Sequence, residues 1–110
     1  METHERLRTG RRGLFPPSAL VRALSPAGHA ALGWTGAGTI AVGARADLVT
    51  VALDSVRTTG SRPTEAVFAA TAADVRHVMV DGRFVVRDGQ HLLVPDVPRE
   101  LGDAIAAVLP

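Results

Sequence analysis

The sequence predicts an α+β fold, and three observations carry that reading. Alanine- and leucine-rich stretches at helical spacing stand toward both ends of the chain. An almost unbroken apolar run, Leu48-Val49-Thr50-Val51-Ala52-Leu53, stands in the middle. Beyond it, VRHVMVDGRFVVRDG (Val75 to Gly89) sets two β-branched runs on either side of Asp81-Gly82. That dipeptide suits a two-residue hairpin turn, because the turn needs positive φ and glycine supplies it freely.

From the start of the chain, residues 1–9 read as the end of a polar helix that Gly10 and Gly13 stop. Pro16-Pro17 opens a second helix, since proline is tolerated in a first turn. Leu20, Leu24 and Ala27 make one apolar stripe along it. Ser25-Pro26 interrupts the pattern, and the Ser25 side chain is expected to cap a new short helix running through Leu32 to Gly33. Glycines 36, 38 and 43 then mark a loop and a turn. The apolar run 48–53 is expected to be a strand buried on both faces. Thr58 to Pro63 reads as a loop, and Thr64 to Ala70 as a short helix. Asp88-Gly89 marks a second turn. After Pro95 and Pro98, residues 99–109 form an amphipathic helix with Leu101, Ile105, Val108 and Leu109 on one side. These elements group as helices over 1–35, a small β segment with one inserted helix over 36–94, and a C-terminal helix over 95–110. So few strands leave exposed sheet edges, which favour pairing with further protein.

Composition excludes several classes. With 110 residues at 46% hydrophobic, the chain is long enough for one small domain and too apolar for disorder. The absence of cysteine excludes disulfides and thiolate metal sites. No apolar run approaches the roughly 20 residues of a membrane helix, and residues 1–6 lack an export signal, so a cytoplasmic protein is expected. All twelve basic residues are Arg, balanced by eleven acidic ones. Arg6, Arg8, Arg11 and Arg12 cluster, yet no aromatic residue lies among them for base stacking, so neither nucleic acid nor membrane is expected as a partner.

No catalytic constellation is evident. The histidines are His4, His29, His77 and His91, with no H-x-H or H-x-x-x-H spacing for a metal. His29, among alanines, is expected to pack or make a local hydrogen bond; His77 is expected to face outward from a strand. The serines read as caps or loop residues, and G-x-S-x-G is absent. Asp47 stands out, since a carboxylate before an apolar strand needs partners. The amides of the turn Gly43-Ala44-Arg45 can supply them, which makes Asp47 a structural residue. The expected structural-turn set is therefore Gly43, Asp47, Asp81 and Gly82, with no catalytic or metal residue.

Three stretches occur in order: SPAGHAALG (25–33), GTIAVGARADLV (38–49) and the hairpin 75–89. Together they resemble the C-terminal end of an amidohydrolase-superfamily enzyme over roughly residues 14–91. HERLRTGRRGLF, GHAALGW, GARADLVTVALDSVRT and VFAATAADV further resemble the formimidoylglutamate deiminase branch, enzymes of histidine breakdown. The resemblance implies the last helices of a TIM barrel followed by part of a small β domain. It also implies a hydrolase of C–N bonds other than peptide bonds, with zinc in full-length members. Those members hold the metal through an H-x-H, later histidines and a barrel Asp, and nothing here matches these positions. The chain is thus expected to carry no cofactor, to be inactive alone, and to pack against the missing barrel or a second copy of itself. The alternative from the residues alone is a standalone assembly module that pairs through its strand edges as a homo-oligomer.

Overall fold

The computed structural model describes residues 2–109; Met1 and Pro110, the outer ends of the first and last expected elements, lie outside them. Three helices come first: α1 (Glu2–Thr9), α2 (Pro17–Leu24) and α3 (Pro26–Ala31). Strand β1 (Leu48–Val51) follows, then a 3₁₀ turn (Pro63–Glu65) running into the single-turn helix α4 (Ala66–Ala69). A second 3₁₀ turn (Ala72–Asp74) leads into β2 (Val75–Val80), β3 (Arg83–Arg87) and β4 (Gln90–His91). Helix α5 (Val97–Val108) ends the chain. The four strands form one antiparallel sheet in the order β1-β2-β3-β4.

Both hairpin turns have the conformation their sequences demand. Asp81 and Gly82 have φ of 47° and 77°, and Asp88 and Gly89 have 51° and 76°. Two successive positive φ values match the right-handed strand twist, and Asp-Gly tolerates them best. Proline stands in the first turn of α2 and α3, as expected; α5 starts at Val97 rather than residue 99, because Pro98 is accommodated in its first turn instead of preceding it.

Four further expectations need correction. β1 stops at Val51 rather than Leu53, because Ala52 leaves the ladder to donate to the Asp74 carbonyl (2.8 Å). Nor is β1 buried on both faces: it is an edge strand, and Val49 is 63% exposed. The Ser25 side chain does not cap α3. Its carbonyl instead accepts the His29 backbone amide (3.1 Å) and approaches the His29 Nδ1 atom (2.8 Å). Finally, the helix expected over 64–70 divides into a 3₁₀ turn and α4, with a further 3₁₀ turn beyond Thr71.

Very little is covered. Among the described residues the only buried apolar side chains are Ala37 and Ala66, and the two most buried are polar, Thr58 and Asp74. The radius of gyration is 17.3 Å, where a compact domain of this length has about 13 Å. The accessible surface is 8540 Å², roughly 2,700 Å² above the approximately 5,800 Å² of a compact monomer of this mass.

The helices are joined to the sheet through a tight loop. Gly38, at φ +78°, lies against the corner between α2 and α3, and a Cβ there would fall 2.6 Å from the Ser25 carbonyl carbon and 2.7 Å from the Pro26 nitrogen. Gly36 has φ +77° with open space around its Cβ position. The pair separates conformational strain from collision. Gly36→Ala is expected to lose about 1 kcal/mol, and Gly38→Ala roughly 2–4 kcal/mol, because it adds overpacking to the same strain. Urea unfolding of both variants checks this, and equal losses would show that the close approach is not a constraint.

Candidate functional site

Asp47, expected to be held by its own turn, instead meets the separate hairpin turn Asp81-Gly82. The Asp47 Oδ1 atom accepts the backbone amide of Asp81 (2.7 Å), and Gly82 donates to the Ala46 carbonyl (3.0 Å). The turn amides expected to serve Asp47 go elsewhere: Ala44 donates to Ala41 and Arg45 to Gly36. Asp47 therefore braces the tip of the β2–β3 hairpin rather than its own turn. Gly43 keeps a positive φ of 82° but takes no part in that brace. Arg45 stands 3.9 Å from the Asp81 carboxylate and places its guanidinium 5.2 Å from the Trp34 ring centroid, a cation–π distance.

The most heavily bonded carboxylate is one the sequence reading passed over. Asp74 is 1% exposed. Arg57 grips it with two bonds, Nε to Oδ2 (2.9 Å) and Nη2 to Oδ1 (2.8 Å). Thr71 adds its amide (2.8 Å) and its hydroxyl (3.1 Å) to Oδ2. The loop that aims Arg57 is knitted by Ser55, whose hydroxyl accepts the Arg57 amide (3.2 Å) and lies 3.0 Å from the buried Thr58 hydroxyl. The Arg57 side chain above all, then the Thr71 amide, hold the Asp74 carboxyl far below the usual carboxylate range, and burial only partly opposes them. The same pairing raises Arg57 above its ordinary value. A signal was present in Thr71-Ala72-Ala73-Asp74, which has the spacing of a capping box.

Three of the histidines, His29, His77 and His91, are bonded within the fold at separate places. His29 lies against the Ser25 carbonyl. His77, half-buried rather than facing outward, accepts the Asp88 amide at Nδ1 (3.2 Å) and meets the Phe84 ring edge-on at 5.8 Å. His91 accepts two loop amides. An open groove runs between α2, β1 and α4, lined chiefly by Val21, Leu24, Ile40, Val49, Val51 and Val67. Its ionisable groups, His29 and Asp47, are already bonded within the fold. A wall of aliphatic side chains with no converging free polar group provides packing surface and no means of activating water.

The family model described as amidohydrolase family matches residues 1–85. The chain belongs to the amidohydrolase family. A 5-methylthioadenosine/S-adenosylhomocysteine deaminase of Halobacterium salinarum is 38% identical over 89 residues, covering 79% of this chain and 20% of that protein. An adenosine deaminase from Xanthomonas campestris, solved with bound zinc, superposes with a TM-score of 0.79 at 23% identity over 92% of this chain and 24% of its own. A triazine hydrolase variant does so with a TM-score of 0.74 at 20% identity, over 87% of this chain and 21% of its own. This amidohydrolase chain therefore spans about a fifth of the length of the curated relative it matches. The residues present do not fit the zinc of the Xanthomonas enzyme: among the described residues no three His, Cys, Asp or Glu side chains gather where they could hold a metal ion.

Two stability predictions follow from the two carboxylates. Asp74 has a depressed folded pKa, so its stabilisation is fully present above the unfolded value of about 4 and is lost as pH falls below it. Asp74→Asn is expected to be less stable than the parent at neutral pH, with the gap closing on acidification below about pH 4. Unfolding midpoints measured across that range test this; a gap that stays constant would remove the carboxylate's role. Asp47→Ala is expected to lose about 1–2 kcal/mol by freeing the Asp81 amide, with amide exchange at Asp81 as the local readout.

Proposed function

We propose that this chain is the C-terminal structural portion of a hydrolase acting on C–N bonds other than peptide bonds, of the formimidoylglutamate deiminase type. Such an enzyme converts N-formimino-glutamate and water to N-formyl-glutamate and ammonia. Zinc would supply the activated water, held by residues outside these 110. In this reading residues 1–35 are the last helices of the barrel, 36–94 part of the β domain beside it, and 95–110 a closing helix. A barrel alone takes about 250 residues. A cytoplasmic location belongs to the same reading; among the described residues no helix is long and apolar enough to cross a membrane.

The observation that carries the proposal is the uncovered apolar surface. An excess of about 2,700 Å² over a compact monomer is of the size that obligate interfaces bury. The α2–β1–α4 groove and the free edge of β1 are where the remainder of the enzyme would pack. The branch assignment rests on the stretches GHAALGW and GARADLVTVALDSVRT. A second substrate class, purine nucleosides and their thioethers, is favoured by the 38% identity to the Halobacterium deaminase. A second architecture, pairing of two copies through β1, is favoured by the exposure of that edge.

The 110-residue chain with zinc is expected to release no ammonia from N-formimino-glutamate, adenosine or 5-methylthioadenosine. Turnover by the chain alone would overturn the structural reading. An upstream reading frame encoding H-x-H, expressed in one piece with this chain, is expected to release ammonia from N-formimino-glutamate; release from the nucleosides alone would move the enzyme to the second class. Light scattering that shows a compact, stoichiometric dimer of the 110-residue chain would favour the assembly module.

A further inference from the structure

The way α5 leaves the sheet hangs on one imidazole. β4 ends at His91, and the Nδ1 atom of that ring accepts the backbone amides of Leu93 (3.2 Å) and Val94 (2.9 Å). Leu92 between them donates to the Val85 carbonyl of β3 (2.9 Å). Pro95 has no amide to contribute, and Asp96 then starts α5 by accepting the Arg99 amide (3.1 Å). The chain between sheet and helix is thus pinned by two bonds to the same nitrogen. A nitrogen that accepts two N–H groups carries no proton, so the ring is neutral with its hydrogen on Nε2. Protonation would turn Nδ1 into a third donor facing two others.

We propose that His91 is a protonation-sensitive latch: the neutral ring closes the segment that leads from β4 into α5, and the protonated ring releases it. The charged groups nearby do not offset that change. The wall around His91 is formed by Gly89, Gln90, Leu92, Pro95, Val97 and Pro98, none of them ionisable. On β3 its cross-strand partner is Val86, and Arg87 stands opposite Gln90. On the α5 side the Asp96 carboxylate is engaged with the helix start and Arg99. Among the described residues no carboxylate lies within ion-pair distance of His91. Because both bonds need the unprotonated Nδ1 atom, protonation of the ring opens the latch. Helix α5 has little else to hold it, since Val97, Leu101, Ile105 and Val108 are all exposed.

Amide hydrogen exchange of the ¹⁵N-labelled chain tests the latch, read as protection factors at about pH 8 and about pH 5, which bracket histidine titration. Protection of Leu93 and Val94 is expected to fall by roughly tenfold or more at the lower pH, while Val78 and Met79 in the sheet keep theirs. His91→Asn retains a side-chain acceptor without the titration, and is expected to keep Leu93 and Val94 protected at both pH values. His91→Ala is expected to leave them unprotected at both. Equal protection of the parent chain at the two pH values overturns the proposal, and so does a fall of the same size in His91→Asn.

Discussion

A buried carboxylate cannot stay charged without partners, and the Asp74 carboxylate organises the centre of this chain around that requirement. Its four bonds come from two segments that sequence separates, the 55–58 loop and the 71–74 turn. Its own carbonyl takes the Ala52 amide, which ends β1 and directs the chain into the loop that carries Arg57. One residue therefore closes the connection between the first two strands. Guanidinium suits the task because its planar fork meets both carboxylate oxygens at once. With only Ala37 and Ala66 buried among the apolar side chains of the described residues, polar geometry specifies this region and packing does not.

A second carboxylate works at the opposite end of the same strands. Asp47 stands just before β1 and reaches the hairpin tip, so β1 is tied to the β2–β3 unit beyond its ladder with β2. Together the two anchors define the four-residue register from Leu48↔Met79 to Val51↔Val75. Both use backbone amides that turn geometry leaves free, at Asp81 and at Thr71, and a carboxylate oxygen is the strongest acceptor available to them.

The parts legible in the sequence were those set by local backbone chemistry. Asp81-Gly82 and Asp88-Gly89 specify their turns because few other residues accept two positive φ values, and a proline in a first turn marks a helix start wherever it falls. The corrections concern tertiary context. The run 48–53 reads as doubly buried because its residues are apolar, but burial is decided by what covers the strand, and among the described residues β1 is an edge strand beside an open groove that leaves Val49 63% exposed. Asp47 was recognised as a bonded carboxylate, but its partner is 34 positions away, beyond the reach of a turn argument. Arg57 and Asp74 lie 17 apart, and their pairing has no periodic signature. Only the Thr71-x-x-Asp74 spacing was readable, and it names a local cap without naming Arg57.

The exposed surface then has a definite meaning. A monomer leaves single apolar side chains in water without difficulty, but a contiguous apolar groove beside an unpaired strand edge needs a covering. In this chain Leu24, Ile40, Val49 and Val67 line one such groove, with the edge of β1 beside them. The polar anchors explain how so open a piece keeps a defined geometry. Hydrogen bonds to Asp74 and Asp47 fix the sheet and its loops without the help of a core, and so present the apolar groove in one shape. Under the proposed function, a segment built in this way would present its apolar groove to the rest of an enzyme. Its order comes from its own carboxylates, and its hydrophobic stabilisation has to come from contact.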